Sequence, residues 1–277
     1  MITTMLHGGM SNQQFQYSCG YAAAKRLNVE LELDIRLLQN DRMRRYSLGL
    51  WDGVKESLVF GRQSTINERK MPYDQELVSS IKDGDVLRGY WQDARYFQEY
   101  RKELLEIFRP KQMLTEHGFE TVKKIMRFPN QSAFLTIRRT DYLNSDYHGV
   151  LDIAYYLEAC RMVNDHVMLT TGNAPLFYIF SDEPEWCKKN FQIPYHFEVV
   201  GSYDQTNHDH LGREDEDLWL MSRCRHAVCA NSSFSWWGSW LSPYDGEDRM
   251  VVCPKRWFQN APGADSSEIV PARWRSI

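Results

Sequence analysis

Apolar positions in the first part of this chain change rhythm several times. Ile2–Leu6 is a short apolar segment that runs into the glycine-bearing turn His7-Gly8-Gly9-Met10-Ser11. Phe15, Cys19, Ala22, Ala23 and Leu27 then fall on one helical face, and Asn28 supplies a helix stop. Val29–Ile35 (VELELDI) alternates as a strand does. Together these predict a β-loop-α-β unit whose glycines let the backbone turn sharply into a helix N-terminus. Arg36–Arg88 is polar and irregular, and its pattern predicts no element. Gly89-Tyr90-Trp91-Gln92 precedes a predicted helix over Ala94–Phe108, ended by Arg109-Pro110, and a second is predicted over Gln112–Met126.

Beyond a linker-like Pro129-Asn130-Gln131-Ser132, the pattern repeats. Four apolar runs, Ala133–Ile137, Leu176–Phe180, His226–Ala230 and Met250–Cys253, each end in polar residues. Those polar ends are Arg138-Arg139, Ser181-Asp182-Glu183, Asn231-Ser232-Ser233 and Pro254-Lys255. Helical patterns at Ala154–Asn164, Pro184–Asn190 and Glu214–Cys224 separate them. Short apolar strands alternating with helices predict a parallel sheet covered on both faces. Ligands of such sheets bind beyond the strands' carboxyl ends. Here those ends carry an arginine pair, an acidic pair and a hydroxyl cluster. The length suits one large α/β domain or two of roughly 130 residues, and in the two-domain case the linker-like stretch divides residues 1–129 from residues 130–277.

Composition narrows the partners. The length of 277 residues accommodates two domains, and a net charge of −4 offers no global basic field for nucleic acid or an anionic membrane. The six cysteines show no C-x-x-C pair or metal-type spacing, and several lie inside apolar runs. They are expected to be free thiols in a reducing compartment. With no signal-like N-terminus and no apolar run approaching ~18 residues, the expected location is the cytoplasm.

Three strand ends could carry chemistry. Adjacent side chains on an extended backbone point oppositely, so at most one of Arg138 and Arg139 is expected to enter the ligand crevice. A guanidinium there clamps a phosphate or carboxylate, or else closes an Arg–Asp pair that ties the loop. Tyr147 and His148 follow closely, where a histidine is either structural or in contact with substrate. Asp182 caps a helix or accepts the N1–H and N2 amino group of a guanine; no second carboxylate cluster supports a metal. Ala230–Trp240 (ANSSFSWWGSW) packs four serines and three of the nine tryptophans into one stretch. Its serines and a helix start form an uncharged cradle for phosphate oxygens. Trp236 and Trp240 share a helical face, which favours packing on the sheet over stacking on a sugar.

Five motifs, at His7–Tyr17, Gly89–Phe97, Ile137–Tyr142, Phe180–Cys187 and Asp217–Leu241, resemble those of the α1,2-fucosyltransferases in order and spacing, over nearly the whole chain. Pro254–Phe258 and Ile269–Trp274 fit as well. The resemblance implies a GT-B architecture, two Rossmann-like domains facing across a cleft. It also implies GDP-β-L-fucose as donor, inversion without a required metal or other cofactor, and the 2-hydroxyl of a terminal galactose as acceptor. At the matching positions it implies that Arg138 clamps the β-phosphate, that Asn231, Ser232, Ser233 and Phe234 line the diphosphate turn, and that Asp182 meets the guanine. Asn12 and Gln13 are expected close to the reacting sugar. Trp91, Tyr147 and His148 are expected at the acceptor, and Asp141 is the candidate base. The acceptor is expected to be a surface glycan or its lipid-linked precursor, which would bring the protein to the inner face of a membrane.

Thr136 stands where the family pattern has a histidine, Thr140 where it has a glycine, and Ser11 where a glycine precedes Asn-Gln. The first departure removes any base contact by that histidine. Two further readings of the residues are a transferase of other regiochemistry or GDP-sugar donor, and a non-catalytic glycan-binding protein built on the tryptophans.

Overall fold

The computed structural model describes residues 1–61, 63–71, 73–200, 213–244, 246, 248–260 and 269–277. Two units divide the chain. One holds Met1–Gln112 and Ala264–Pro271, the other Met113–Gly263 and Ala272–Ile277.

The first unit is a five-stranded sheet in the order β3-β2-β1-β5-β4, formed by β1 (Ile2–Met5), β2 (Leu31–Asp34), β3 (Leu58–Val59), β4 (Ile66–Asn67) and β5 (Val86–Arg88). Every pairing is parallel. β1 is central and buried along its whole length, as a parallel strand covered on both faces must be. The expected β-loop-α-β unit is present. Helix α1 (Met10–Leu27) ends on Asn28, which adopts a left-handed φ of 53° and returns its N–H to Ala24 and Lys25. Short helices α2 (Arg36–Gln39), α3 (Gln75–Ser80) and α4 (Arg101–Ile107) complete this unit.

Two expectations change here. Arg36–Arg88 contains β3, β4 and β5, and β5 is a direct neighbour of β1. Strands of two or three residues are too short to display a period. The helix expected over Ala94–Phe108 begins only at Arg101, after 3-10 turns at Ala94–Tyr96 and Gln98–Tyr100. Asp93 accepts the N–H of Arg95, and Phe97, fully buried, sits at φ −146°, ψ 1°, which breaks the helical run.

The second unit opens with α5 (Glu116–Arg127) and contains a six-stranded sheet, β11-β10-β9-β6-β7-β8. Its strands are β6 (Ser132–Ile137), β7 (Leu176–Ser181), β8 (Phe197–Val200), β9 (His226–Val228), β10 (Val251–Cys253) and β11 (Arg275–Ser276), all in parallel register. Helices α6 (Ile153–Thr171), α7 (Pro184–Asn190), α8 (Glu214–Arg223) and α9 (Ser233–Trp240) lie between them in sequence. The unit begins near Met113, ahead of the expected boundary at 129/130. The cause is Glu216 of α8, whose carboxylate accepts the N–H (2.6 Å) and hydroxyl (2.7 Å) of Thr115, the cap of α5.

Strand alternation sorts the core of this unit. Ala133, Leu135 and Ile137 pack with Tyr156, Cys160 and Val163 of α6, while Thr136 points the other way and meets Ser235 of α9. In α9 all three tryptophans are buried, with Trp236 and Trp240 stacked at 5.8 Å and Trp237 edge-on to both. The expected core role of these rings holds. Gly238 lets α9 approach α8, since a Cβ there would stand 2.3 Å from Met221 Cε. All six cysteines are free and buried. No helix among the described residues is long and apolar enough to cross a membrane.

His226 makes this sheet sensitive to acid. Its Nδ1 accepts the N–H of Met250 and its Nε2–H is left to donate to Asn130 O, so the neutral ring alone fits. Burial, reinforced by nearby His166, Arg225 and Arg249, lowers it from 6.5 to about 4. Below pH 6.5 the unfolded chain takes up a proton that the folded chain refuses. The stability is therefore full above pH 6.5 and falls by up to about 3 kcal/mol as the pH approaches 4. Urea midpoints at pH 7 and pH 4.5 should separate strongly for the wild type and less for His226→Gln. Equal separations would contradict this assignment.

Candidate functional site

Adjacent strands β9, β6 and β7 end side by side, because Leu135 is in register with Val228 and Ile137 with Ser181. Arg138, Asp182 and Asn231 thus gather at one sheet edge. Arg138, whose side chain is 30% exposed, donates to Asp141 at 2.6 Å and pairs with Asp182 at 3.1 Å. Its guanidinium carbon lies 5.4 Å from the centre of the Tyr142 ring. Arg139 diverges as alternation requires. It bonds Glu183 at 2.6 Å and lies on the Trp186 indole at 3.5 Å. Arg138 is therefore the arginine that shares an edge with the serine turn. Burial opposes its charge, but Asp182 and Asp141 outweigh that and hold its pKa above the ordinary value.

Asp182 serves the loop. Its carboxylate accepts the Arg139 N–H at 3.0 and 3.3 Å and the Thr140 hydroxyl at 2.6 Å, besides the Arg138 pair. These bonds make it a clamp on the β6 exit. Asp141 likewise accepts from Arg138 and, at 3.3 Å, from Thr140.

Below the guanidinium runs a ladder of rings. Tyr142 is stacked on His148 at 4.5 Å and 4°. Its hydroxyl donates to Asn231 O at 3.1 Å. Burial pushes Tyr142 up to about 12 against the pull of Arg138, so that hydroxyl remains a donor at neutral pH. Burial lowers His148 in spite of nearby Asp141, so its ring is neutral at pH 7. Its Nδ1 is buried and makes no hydrogen bond. Tyr147, 44% exposed, stands edge-on to His148 at 4.9 Å and packs on Phe258.

The serine turn divides into supports and rim. Asn231 is 2% exposed, and its Nδ2 donates to His148 O (3.0 Å), Gly149 O (3.2 Å) and Trp257 O (3.1 Å). Its side chain ties three segments together and does not line the turn, contrary to expectation. Ser232 caps α9, its hydroxyl accepting from Phe234 N at 3.3 Å, and Ser232, Ser233 and Phe234 are half-buried at the rim. Beneath them Thr136 accepts the Ala230 N–H at 2.8 Å and shares a hydrogen bond with Ser235 at 2.6 Å. Where the family pattern has a histidine, this chain has a buried hydroxyl that joins β6 to the start of α9. The sheet-edge arrangement can hold an anion between a guanidinium and the hydroxyls and N–H groups of a helix start.

Three expected residues lie in the first unit. Gln13 is fully buried. Its amide donates to Gly8 O (2.9 Å) and Arg45 O (2.7 Å) and accepts from Ser47 N (2.9 Å), so it pins loops and does not face a sugar. Asn12 is half-buried, and its Oδ1 accepts from Gln92 Nε2 at 2.9 Å. Trp91 is fully buried, edge-on to Tyr96 at 5.2 Å, which corrects its expected contact with an acceptor. Its φ of 57° is a strained conformation for a bulky residue, costing about 1–3 kcal/mol. Glu68 offsets it by accepting from the N–H groups of both Tyr90 and Trp91. Burial raises the Glu68 pKa although those two bonds oppose the shift.

Pattern reading missed Tyr142, Gln92 and Glu68. Tyr142 had a signal, its place inside the RRTDY motif; Glu68, in a stretch without periodicity, had none. Among the described residues no group of three or more His, Cys, Asp or Glu side chains could hold a metal ion.

Several known proteins are similar to this chain in sequence. An α1,2-colitosyltransferase of Escherichia coli is 30% identical over 100% of this chain and 99% of its own length. An O-antigen biosynthesis glycosyltransferase of Escherichia coli is 26% identical over 98% of this chain and 99% of its own. A bovine galactoside 2-α-L-fucosyltransferase is 25% identical over 56% of this chain and 42% of its own. The sequence profile of glycosyl transferase family 11 matches residues 82–275, a span that takes in Arg138, Asp182 and the whole serine turn. The chain belongs to glycosyl transferase family 11.

Proposed function

We propose that this protein is an inverting α1,2-fucosyltransferase that moves L-fucose from GDP-β-L-fucose to the 2-hydroxyl of a terminal β-galactose on a surface glycan or its lipid-linked precursor. The observation that carries the reading is Arg138, part-exposed at the end of β6 and joined through Tyr142 to the Asn231–Ser233 turn. Fucosyl transfer builds negative charge on the departing diphosphate while the sugar becomes oxocarbenium-like. Positive and hydrogen-bonding groups already in place at that phosphate are the largest expected catalytic contribution. Arg138, Ser232, Ser233 and the first N–H groups of α9 supply them without a metal.

Two carboxylates hold Arg138 before the donor arrives. Asp141 is the more exposed, 35% against 11% for Asp182. The diphosphate displaces Asp141 from the guanidinium, and the released carboxylate accepts the proton of the attacking hydroxyl. Tyr147 and His148 stand beside the acceptor. Asp182 stays on the loop and keeps the guanidinium aimed.

A second reading, colitosyl transfer, is favoured by the name of the 30% identical relative. Colitose is fucose lacking the 3-hydroxyl, so the two readings share the diphosphate site and differ at one sugar position. Initial rates with GDP-fucose and GDP-colitose decide between them. The preferred reading expects GDP-fucose turnover that requires a galactoside, persists in EDTA and yields an α1,2 linkage. Absence of turnover with every galactoside would sink it.

Arg138→Ala should lower kcat by about 10²–10³-fold with the fold intact by circular dichroism. Near wild-type turnover would remove Arg138 from the phosphate. Thr136→Val, which keeps the volume but deletes the hydroxyl under the turn, should raise the KM for GDP-fucose about tenfold and lower the thermal midpoint. Thr136→Ser should restore most of both. Unchanged donor KM in the valine variant would show that the turn is held without this bond.

A further inference from the structure

Trp91 holds the largest type of side chain on a backbone at φ 57°, a region that bulky residues occupy only where their surroundings force it. Three contacts do so. The Glu68 carboxylate accepts the N–H of Tyr90 at 2.6 Å and that of Trp91 at 3.1 and 3.2 Å. Gly89 lies so close that a Cβ would stand 2.4 Å from Glu68 Cβ. The Trp91 indole is sealed in the core against Tyr96.

The outcome is a reversal of the two neighbouring rings. Trp91 goes inward, and Tyr90 is left 45% exposed with the His7 ring edge-on at 4.5 Å and 74°. Next along the same loop, Gln92 donates to Asn12 at 2.9 Å. Asn12 borders Gly8, the neighbour of His7, with its Nδ2 2.7 Å from where a Gly8 Cβ would lie. An exposed aromatic face and two side-chain amides therefore share one margin of the first unit. A pyranose presents the complementary surface, an apolar C–H face bounded by hydroxyls that donate and accept.

We propose that Tyr90, backed by His7 and flanked by Asn12 and Gln92, is a stacking subsite for a pyranose of the acceptor glycan. It rests on the acceptor reading above and gives that reading a specific surface. The strained loop then has a purpose beyond packing, because it fixes which of two adjacent aromatic rings meets the sugar.

Acceptor kinetics test this in the full chain, with wild type, Tyr90→Ala and Tyr90→Phe. Tyr90→Ala should raise the galactoside KM about tenfold while the KM for GDP-fucose stays unchanged, and Tyr90→Phe should remain within about twofold of wild type. An unchanged galactoside KM in Tyr90→Ala overturns the subsite and leaves the transferase reading standing. If the wild type turns over no galactoside, the acceptor reading falls instead, and the subsite is read directly. Saturation-transfer NMR with GDP present would then use methyl β-D-galactopyranoside, methyl β-D-glucopyranoside and methyl α-D-mannopyranoside as probes. A wild-type signal that Tyr90→Ala abolishes upholds the subsite. Equal signals in both proteins, or none from any probe, overturn it.

Discussion

A carboxylate with little access to water must be paired, and the pairing of Asp182 organises the edge of the second sheet. One side chain accepts a backbone N–H from Arg139, a hydroxyl from Thr140 and a guanidinium from Arg138. Leaving all of these unmade would strand a largely buried charge, which costs more than an exposed pair gains. The loop after β6 is therefore held in one course, and Arg138 with it. From that fixed guanidinium the Tyr142 and His148 rings follow in turn, and Tyr142 reaches the serine turn through Asn231.

The second unit was largely legible from its pattern. Its central strands are apolar runs closed by polar residues, and α7 spans Pro184–Asn190 as expected. What pattern could not supply was the use of polar side chains. Gln13, Asn231 and Asp182 all lie in motifs, and all hold backbone or loop in place. Motif membership alone does not tell a residue that touches a ligand from one that aims its neighbour. The first unit was harder, since β3, β4 and β5 are two or three residues long and take their strand character from the neighbours they pair with. The turn-rich start of the Ala94–Phe108 segment illustrates the same limit, because buried Phe97 and the Asp93 cap override a helical pattern.

The two units hold their polar residues by different means. In the second, charge neutralisation around Arg138 does the work. In the first, a backbone in an unfavoured conformation is kept by one half-buried carboxylate and one missing Cβ. The orientation of Trp91 was beyond sequence reading for that reason. The ring was expected at an acceptor but is fully buried against Tyr96, on a backbone φ that residue type does not disclose.

The indole stack of α9 has a consequence for how such a protein can change over time. Trp236, Trp237 and Trp240 anchor the helix whose first residues form the serine turn, and they do so wholly inside the core. Exposed loops can accept substitutions without shifting that anchor. The proposed diphosphate turn is thus anchored independently of the exposed loops. On the proposed function, a lineage could exchange one sugar for another by altering loops, with the anchoring helix inherited intact.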